Sequence, residues 1–311
     1  MIVLPAIKNL IKRLNALYRG KMTGEEFFCT YADRICEALF RRSPHLLARR
    51  HYRLASGKSS LPIIKSNDSY HIGDVRLPLL DYRGERILYN TVWEDTYWSY
   101  LHCNDEYSEA IFDMCDKFLR EGLYGLVNDS VNVTVMPGDI VIDAGSWIGD
   151  FAAYASVKGA TVYAFEPSKE NYRGLERTAE LNGNITPVNK GLSDSNMSMD
   201  IHILPDHLSA SSFMEFHSGT HSEQAETVRL DDFVRENNLP RVDFIKADIE
   251  GFERHMLAGA QETLARFAPK LALCTYHLPD DPQVMAELIK QANPKYNIVQ
   301  KRCKLFASVP E

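Results

Sequence analysis

The feature that most constrains this chain is a strand that runs into a glycine turn and then a helix, followed by a second strand that stops at an acid. Val141-Ile142-Asp143-Ala144-Gly145-Ser146-Trp147-Ile148-Gly149-Asp150-Phe151 begins in the apolar run Ile140 to Ala144 and continues in a helical pattern ending at Gly159. Thr161 to Phe165 follows, then Glu166-Pro167. This βαβ order predicts a nucleotide site at the carboxyl ends of the strands. Gly145 lets the chain turn with its backbone close to a ligand, and Gly149 is expected where helix packs on strand. Glu166, 21 positions after Gly145, falls where an acid accepts hydrogen bonds from both hydroxyls of a ribose. The spacing is D-x-G-x-x-x-G, with Trp147 where a dinucleotide fingerprint has its second glycine. S-adenosylmethionine has no phosphate to cradle, and the strand-end acid Asp143 suits its ammonium. The expected cofactor-binding set is therefore Asp143, Gly145, Ser146, Trp147, Gly149, Glu166 and Pro167, with Trp147 either beside the cofactor or wedged between helix and sheet.

The blocks VIDAGSWIGDF, AFEPSKENY, LNGN, GLSD, VRLDDF and DFIKADIEGFE, in this order between Pro137 and His277, resemble the FkbM-type S-adenosylmethionine-dependent methyltransferases. The resemblance implies a class I methyltransferase fold: α/β and Rossmann-like, with a doubly wound, mostly parallel sheet and a closing antiparallel hairpin. It also implies O-methylation, most often of a sugar or secondary-metabolite hydroxyl. Two rivals are a non-catalytic nucleotide-binding module of the same fold, weakened because Asp143 and Glu166 are intact, and a nicotinamide-dependent oxidoreductase, disfavoured by the G-x-x-x-G spacing.

From Asp139 onward apolar strand runs and helical patterns alternate, as in a parallel sheet covered on both faces. Strands are expected at Ile140 to Ala144, Thr161 to Phe165, Ile185 to Val188, Val242 to Ala247 and Leu271 to Tyr276. An antiparallel excursion begins near Met199, and a hairpin spans Tyr296 to Val309. Helices are expected from Ser168 as N-cap to Asn182-Gly183 and from Asp281 to Asn293. Asp231 and Asp232 open a short helix, where the helix dipole accounts for them. Three regions follow: a basic helical segment, 1–60; an accessory β/α segment with substrate or dimer contacts, 61–135, including a helix near Glu106 to Glu121; and the methyltransferase domain, 136–311.

Methyl transfer to a hydroxyl asks for a group that handles the acceptor's proton, or for a metal. Asp248 and Glu250 in DFIKADIEGFE and His277 beyond the next strand are the expected catalytic residues, with Lys246 either reaching the same crevice or pairing with an acid. Asp248, Glu250 and His277 would serve as a proton relay or, alternatively, as ligands of Mg²⁺ or Mn²⁺. Glu250 has a second reading as a cap on the helix near Gly251.

The formal net charge of −7 hides an asymmetry, since residues 1–60 hold 12 Lys and Arg against 4 Asp and Glu. In that basic part Ile7, Leu10, Ile11, Leu14 and Leu17 recur at helical spacing opposite Lys8, Lys12 and Arg13. Such a helix docks on the catalytic domain or a second subunit, giving a homo-oligomer, or lies on an anionic membrane. No basic-aromatic interleaving points to nucleic acid. No apolar run is long enough to span a membrane, and no secretory cleavage pattern opens the chain. The six cysteines have no ligand-like spacing. The expectation is a cytoplasmic protein with free thiols acting on a small-molecule or glycan hydroxyl.

Overall fold

The computed structural model describes residues 63–65, 68–72, 74–78, 124–203, 211–214, 221–301 and 304–310. The basic amphipathic helix, the helix near Glu106 to Glu121 and all cysteines except Cys274, a buried free thiol, lie outside them. In chain order the elements are β1 (Ile63–Lys65), β2 (Ser69–Ile72), β3 (Val75–Pro78), β4 (Leu126–Val127), β5 (Asn132–Val133), β6 (Ile140–Ala144), α1 (Asp150–Val157), β7 (Thr161–Phe165) and α2 (Lys169–Asn182). Then come β8 (Ile185–Val188), β9 (Gly191–Leu192), β10 (Ser198–Ile203), β11 (His221–Val228), α3 (Leu230–Glu236), β12 (Phe244–Ala247) and α4 (Glu253–Ala258). The chain continues with α5 (Gln261–Phe267), β13 (Lys270–Cys274), α6 (Asp281–Ala292), β14 (Asn297–Lys301) and β15 (Lys304–Ser308). No helix among the described residues is long and apolar enough to cross a membrane.

Seven strands form the central sheet in the order β14-β15-β13-β12-β6-β7-β8. Neighbours from β13 to β8 are parallel, while β15 runs antiparallel to both β13 and β14. This is the class I methyltransferase arrangement, closed by the hairpin expected at the C-terminal end. The pleat explains why β6 is apolar on both faces up to Asp143. Val141 packs into a cluster with Phe151, Leu175 and Phe306, whereas Ile142 faces the opposite cluster with Phe233, Leu257 and Ile289. A strand buried on both faces has no polar side to alternate with.

Topology places the site. From β6 the chain steps outward to β7 and β8, then returns to the other side of β6 as β12. The order reverses between β6 and β12, and the crevice that opens at such a switch point is where ligands bind. The excursion between β8 and β12 forms a small sheet in the order β10-β11-β9. On the N-terminal side, β3 is pinned to the end of α2 by a reciprocal pair: Arg76 N donates to Asn182 Oδ1 at 3.0 Å, and Asn182 Nδ2 donates to Arg76 O at 2.7 Å.

Two local expectations are corrected. Ser168 occupies the N-cap position of α2 but makes no side-chain cap bond. Asp231 stands in the first turn of α3, yet its main task is to cap α5: Oδ1 accepts from Thr263 N at 2.8 Å and Thr263 Oγ1 at 2.7 Å, and Oδ2 from Glu262 N at 3.1 Å. Dipole stabilisation therefore understates Asp231. Charge-assisted hydrogen bonds contribute about 1.5 to 3 kcal/mol each, and this carboxylate is almost fully buried. Asp231→Ala should lower unfolding stability by about 2 to 4 kcal/mol in urea denaturation. Asp232→Ala, whose partners are the more exposed Arg235 and Asn196, should cost under about 1 kcal/mol. Equal effects would remove the distinction.

Candidate active site

Ala144 and Ala247 lie opposite each other in the register of β6 and β12, so the turns that leave these strands meet. At Gly145, with φ +70°, a Cβ would lie 2.0 Å from the carbonyl oxygen of Asp248. Only glycine allows the two turns this approach. Lys246 secures them from below: its buried Nζ sits 3.1 Å from Asp143 Oδ1 and donates to the Gly145 carbonyl at 2.6 Å. Burial works to lower the Lys246 pKa, but Asp143, Asp248 and Asp150 reverse that and raise it, so the ammonium stays charged. Of the two placements open to Lys246 in the sequence, the structure shows the one paired with an acid.

Asp143 is 0% exposed, lies among the counterions of Lys246 and is not among the residues that line the cleft. Its contact with Lys246 is an ion pair by distance without hydrogen-bond alignment, since neither carboxylate oxygen has a hydrogen-bond partner among the described residues. Ser146 also turns inward, donating from Oγ to Asp143 O at 2.8 Å. Gly149 makes room for a helix, not a strand: a Cβ there would lie 2.7 Å from Leu175 Cδ1 of α2.

The cleft over this junction holds about 470 Å³ of free space, open solvent included. Gly145, Trp147, Glu166, Pro167, Asp248 and Glu250 are among its lining residues. Glu166 is 4% exposed. Its Oε2 accepts from Trp147 N at 2.9 Å, and Oε1 accepts from Ser168 N at 3.0 Å and Asn171 Nδ2 at 3.4 Å. Burial outweighs these donors and pushes the carboxyl up to about 7, so further donors from a ligand would favour its charged form. Trp147 holds φ 49°, a left-handed conformation that costs a non-glycine residue about 1 to 2 kcal/mol, and its hydrogen bond to Glu166 helps hold it there. An acid at the end of β7 facing a glycine turn fits a nucleoside diol.

On the far wall the structure brings Asp248, Glu250 and His277 together, with one ligand atom from each within 4.8 Å of the others. Glu250 has φ 51° and is followed by Gly251 at φ 96°. This turn carries the Glu250 carboxylate to 3.3 Å from His277 Nε2, and Ser212 Oγ donates to the Glu250 carbonyl at 2.7 Å. Glu250 therefore does not cap the helix. The helix has no side-chain cap bond, and Glu253 instead ties down the turn ahead of it: its carboxylate accepts from Ile249 N at 2.8 Å and Gly251 N at 3.0 Å while lying 3.2 Å from His277 Nδ1. His277 is thus clasped between two carboxylates. Burial alone would lower its pKa, but Glu250 and Glu253 raise it to about 10, so near neutrality it is an imidazolium. Asp248 is ionised: against the effect of burial, Lys246, His277 and the Tyr124 hydroxyl hold it below the usual carboxylate range.

Three contributors escaped the sequence analysis. Tyr124 donates from its hydroxyl to Asp248 Oδ2 at 2.7 Å across a separation of 124 residues, which no local signal could announce. Tyr276 lies 3.2 Å from Asp248 Oδ1 through its hydroxyl, and its position beside His277 was the only hint. Glu253 stood inside the quoted DFIKADIEGFE block, where an acid two residues past a glycine is a helix-start signal. Replacing Glu253 by Ala would leave two buried backbone N–H groups and one face of His277 without an acceptor. Thermal and urea unfolding should then show a loss of about 3 to 5 kcal/mol, and wild-type stability would mean that the turn supports itself.

The family model of the methyltransferase FkbM domain matches residues 143–296. The chain is 30% identical over 161 residues to hexuronic acid methyltransferase AglP of Haloferax volcanii, a match covering 50% of this chain and 62% of that protein, short of two thirds of the relative's length. It is 26% identical over 188 residues to 31-O-demethyl-FK506 methyltransferase FkbM of Streptomyces tacrolimicus, covering 50% of this chain and 68% of that one. Among solved structures it is similar to the methyltransferase FkbM from Methylobacillus flagellatus KT, with 20% identity, a TM-score of 0.44 and coverage of 72% of this chain and 60% of that chain. The motif blocks that suggested a family thus lie in or at the edge of the segment that matches the methyltransferase FkbM domain, and over that segment, just under half of its length, this chain is similar to the FkbM-type methyltransferases.

Proposed function

We propose that this chain methylates a hydroxyl of a sugar or secondary metabolite, with S-adenosylmethionine as donor. The observation that carries this reading is the convergence on one cleft of Glu166 from β7 and of Asp248 and Glu250 from the turn after β12. The printed activities of the relatives, methylation of a hexuronic acid and of 31-O-demethyl-FK506, fit a hydroxyl acceptor. When bound, S-adenosylmethionine supplies an activated methyl group on a sulfonium. Glu166 would hold the ribose hydroxyls, and Trp147 would cover one side of the ligand.

The acceptor side falls to Asp248, Glu250 and His277. Orientation contributes most, because aligned reactants reach effective molarities of about 10⁵ M or more. As an imidazolium, His277 is already protonated and serves as a charged donor that positions the carboxylates. The acceptor's proton passes to Asp248 or Glu250, which are the bases of the set. A divalent cation at the same three residues is the competing arrangement, and it would first have to displace the His277 proton.

Glu166→Ala should weaken S-adenosylhomocysteine binding by at least about tenfold in calorimetry, as expected for lost charged hydrogen bonds. Because ligand donors favour the ionised carboxylate and the free group titrates at about 7, affinity should rise from about pH 5.5 toward neutrality and level off above it. Glu166→Gln should flatten that rise, and an identical pH profile in the variant would remove Glu166 from the site. Asp248→Asn and His277→Ala should each lower turnover by about 10² or more with cofactor affinity nearly intact. Activity that survives a chelator excludes the metal arrangement, whereas loss restored by Mg²⁺ or Mn²⁺ would replace the relay.

A further inference from the structure

We propose that Tyr276 seats the acceptor, taking the C–H face of a pyranoside on its ring beside the Asp248 and Glu250 carboxylates. This deepens the hydroxyl-methylation reading above and rests on it.

Tyr276 follows β13 at the carboxyl edge of the sheet and is 54% exposed. A side chain that open to solvent ordinarily samples several rotamers, but here both its hydroxyl and its ring are engaged. The hydroxyl lies 3.2 Å from Asp248 Oδ1, and the ring sits 4.0 Å from the His277 ring, tilted by 41°. An aromatic surface is therefore held beside Asp248, which lines the cleft together with Glu250. His277 behind it is nearly enclosed and clasped by Glu250 and Glu253, which fixes the surface the ring leans on.

The chemistry around this ring selects a ligand. A pyranoside presents a patch of axial C–H groups on one face and hydroxyls around its edge. The ring can take the C–H patch through apolar burial and dispersion, while Asp248 and Glu250 accept from the hydroxyls through charge-assisted hydrogen bonds. A simple aliphatic alcohol would use the ring but leave the second carboxylate without a donor, a poor exchange for its water. The juxtaposition of one fixed aromatic face with two carboxylates thus favours a carbohydrate over an extended aliphatic acceptor.

The test is saturation-transfer NMR on the full chain with saturating S-adenosylhomocysteine, using methyl glucopyranoside, its uronic acid counterpart and cyclohexanol as probes. Wild type should give transfer concentrated on the protons of one pyranoside face, with at least one pyranoside bound more tightly than cyclohexanol. Tyr276→Ala should weaken that pyranoside by about tenfold. Tyr276→Phe, which keeps the ring and loses the hydroxyl, should stay within about threefold of wild type, and S-adenosylhomocysteine affinity should be equal in all three proteins. The exposure of Tyr276 makes both variants compatible with the fold, which thermal unfolding verifies. Equal pyranoside binding by Tyr276→Ala and wild type, or cyclohexanol bound as tightly as the pyranosides, overturns the platform while leaving the methyltransferase reading intact. Failure of wild type to bind S-adenosylhomocysteine at all overturns both.

Discussion

The close approach of two turns, one after β6 and one after β12, is the constraint on which the rest of the site depends. Their parallel pairing sets Ala144 opposite Ala247, and a single missing Cβ at Gly145 lets the Asp248 carbonyl come in over the turn. Because both strands are buried on both faces, this junction is supported by two hydrophobic clusters and not by loops. The Glu166 side and the Asp248–Glu250 side of the cleft are therefore the two sides of one joint. Glu166 joins it through the Trp147 N–H, and Glu250 through the turn that follows Asp248.

Charges are stacked in alternation along this joint. Asp143, Lys246, Asp248 and His277 succeed one another from the sheet interior toward the cleft, each close to a partner of opposite sign. Taking such groups out of water costs several kcal/mol per ion, and their attraction roughly offsets it, so the series is weak evidence of stability. Its effect is positional. With Lys246 holding Asp143 and the Gly145 carbonyl, the turn cannot slide without leaving a buried charge unpaired. Tyr124 adds a second anchor, its ring lying 3.8 Å from Lys304 Nζ and edge-on to Phe151 at 5.6 Å, while its hydroxyl fixes one oxygen of Asp248.

How far the sequence could be read depended on whether a feature was local. The strands around Asp143, Glu166 and Asp248 were legible because each is a short apolar run ending at an acid, and their parallel order followed from the alternation with helices. For Asp143 and Ser146, spacing says that a residue sits at a strand end or in the turn after it but not which way its side chain turns. Both are buried, Asp143 beside Lys246 and Ser146 bonded to the Asp143 carbonyl. Asp231 was read within its own helix, whereas it caps α5 some thirty residues later. Tyr124 was invisible for the same reason, since its partner is reached only after the whole first half of the sheet has formed.

Tyr124 and Lys304 both lie outside the segment 143–296 that matches the family domain, although one bonds to Asp248 and the other stacks on the first. The boundary that sequence likeness draws and the boundary of the working unit are therefore different. A chimera that grafted only the matched segment onto another chain would keep the Tyr276 hydroxyl on Asp248 but lose that of Tyr124, leaving one carboxylate oxygen of Asp248 without its anchor. The support of Asp248 thus depends on flanks that lie beyond the matched segment.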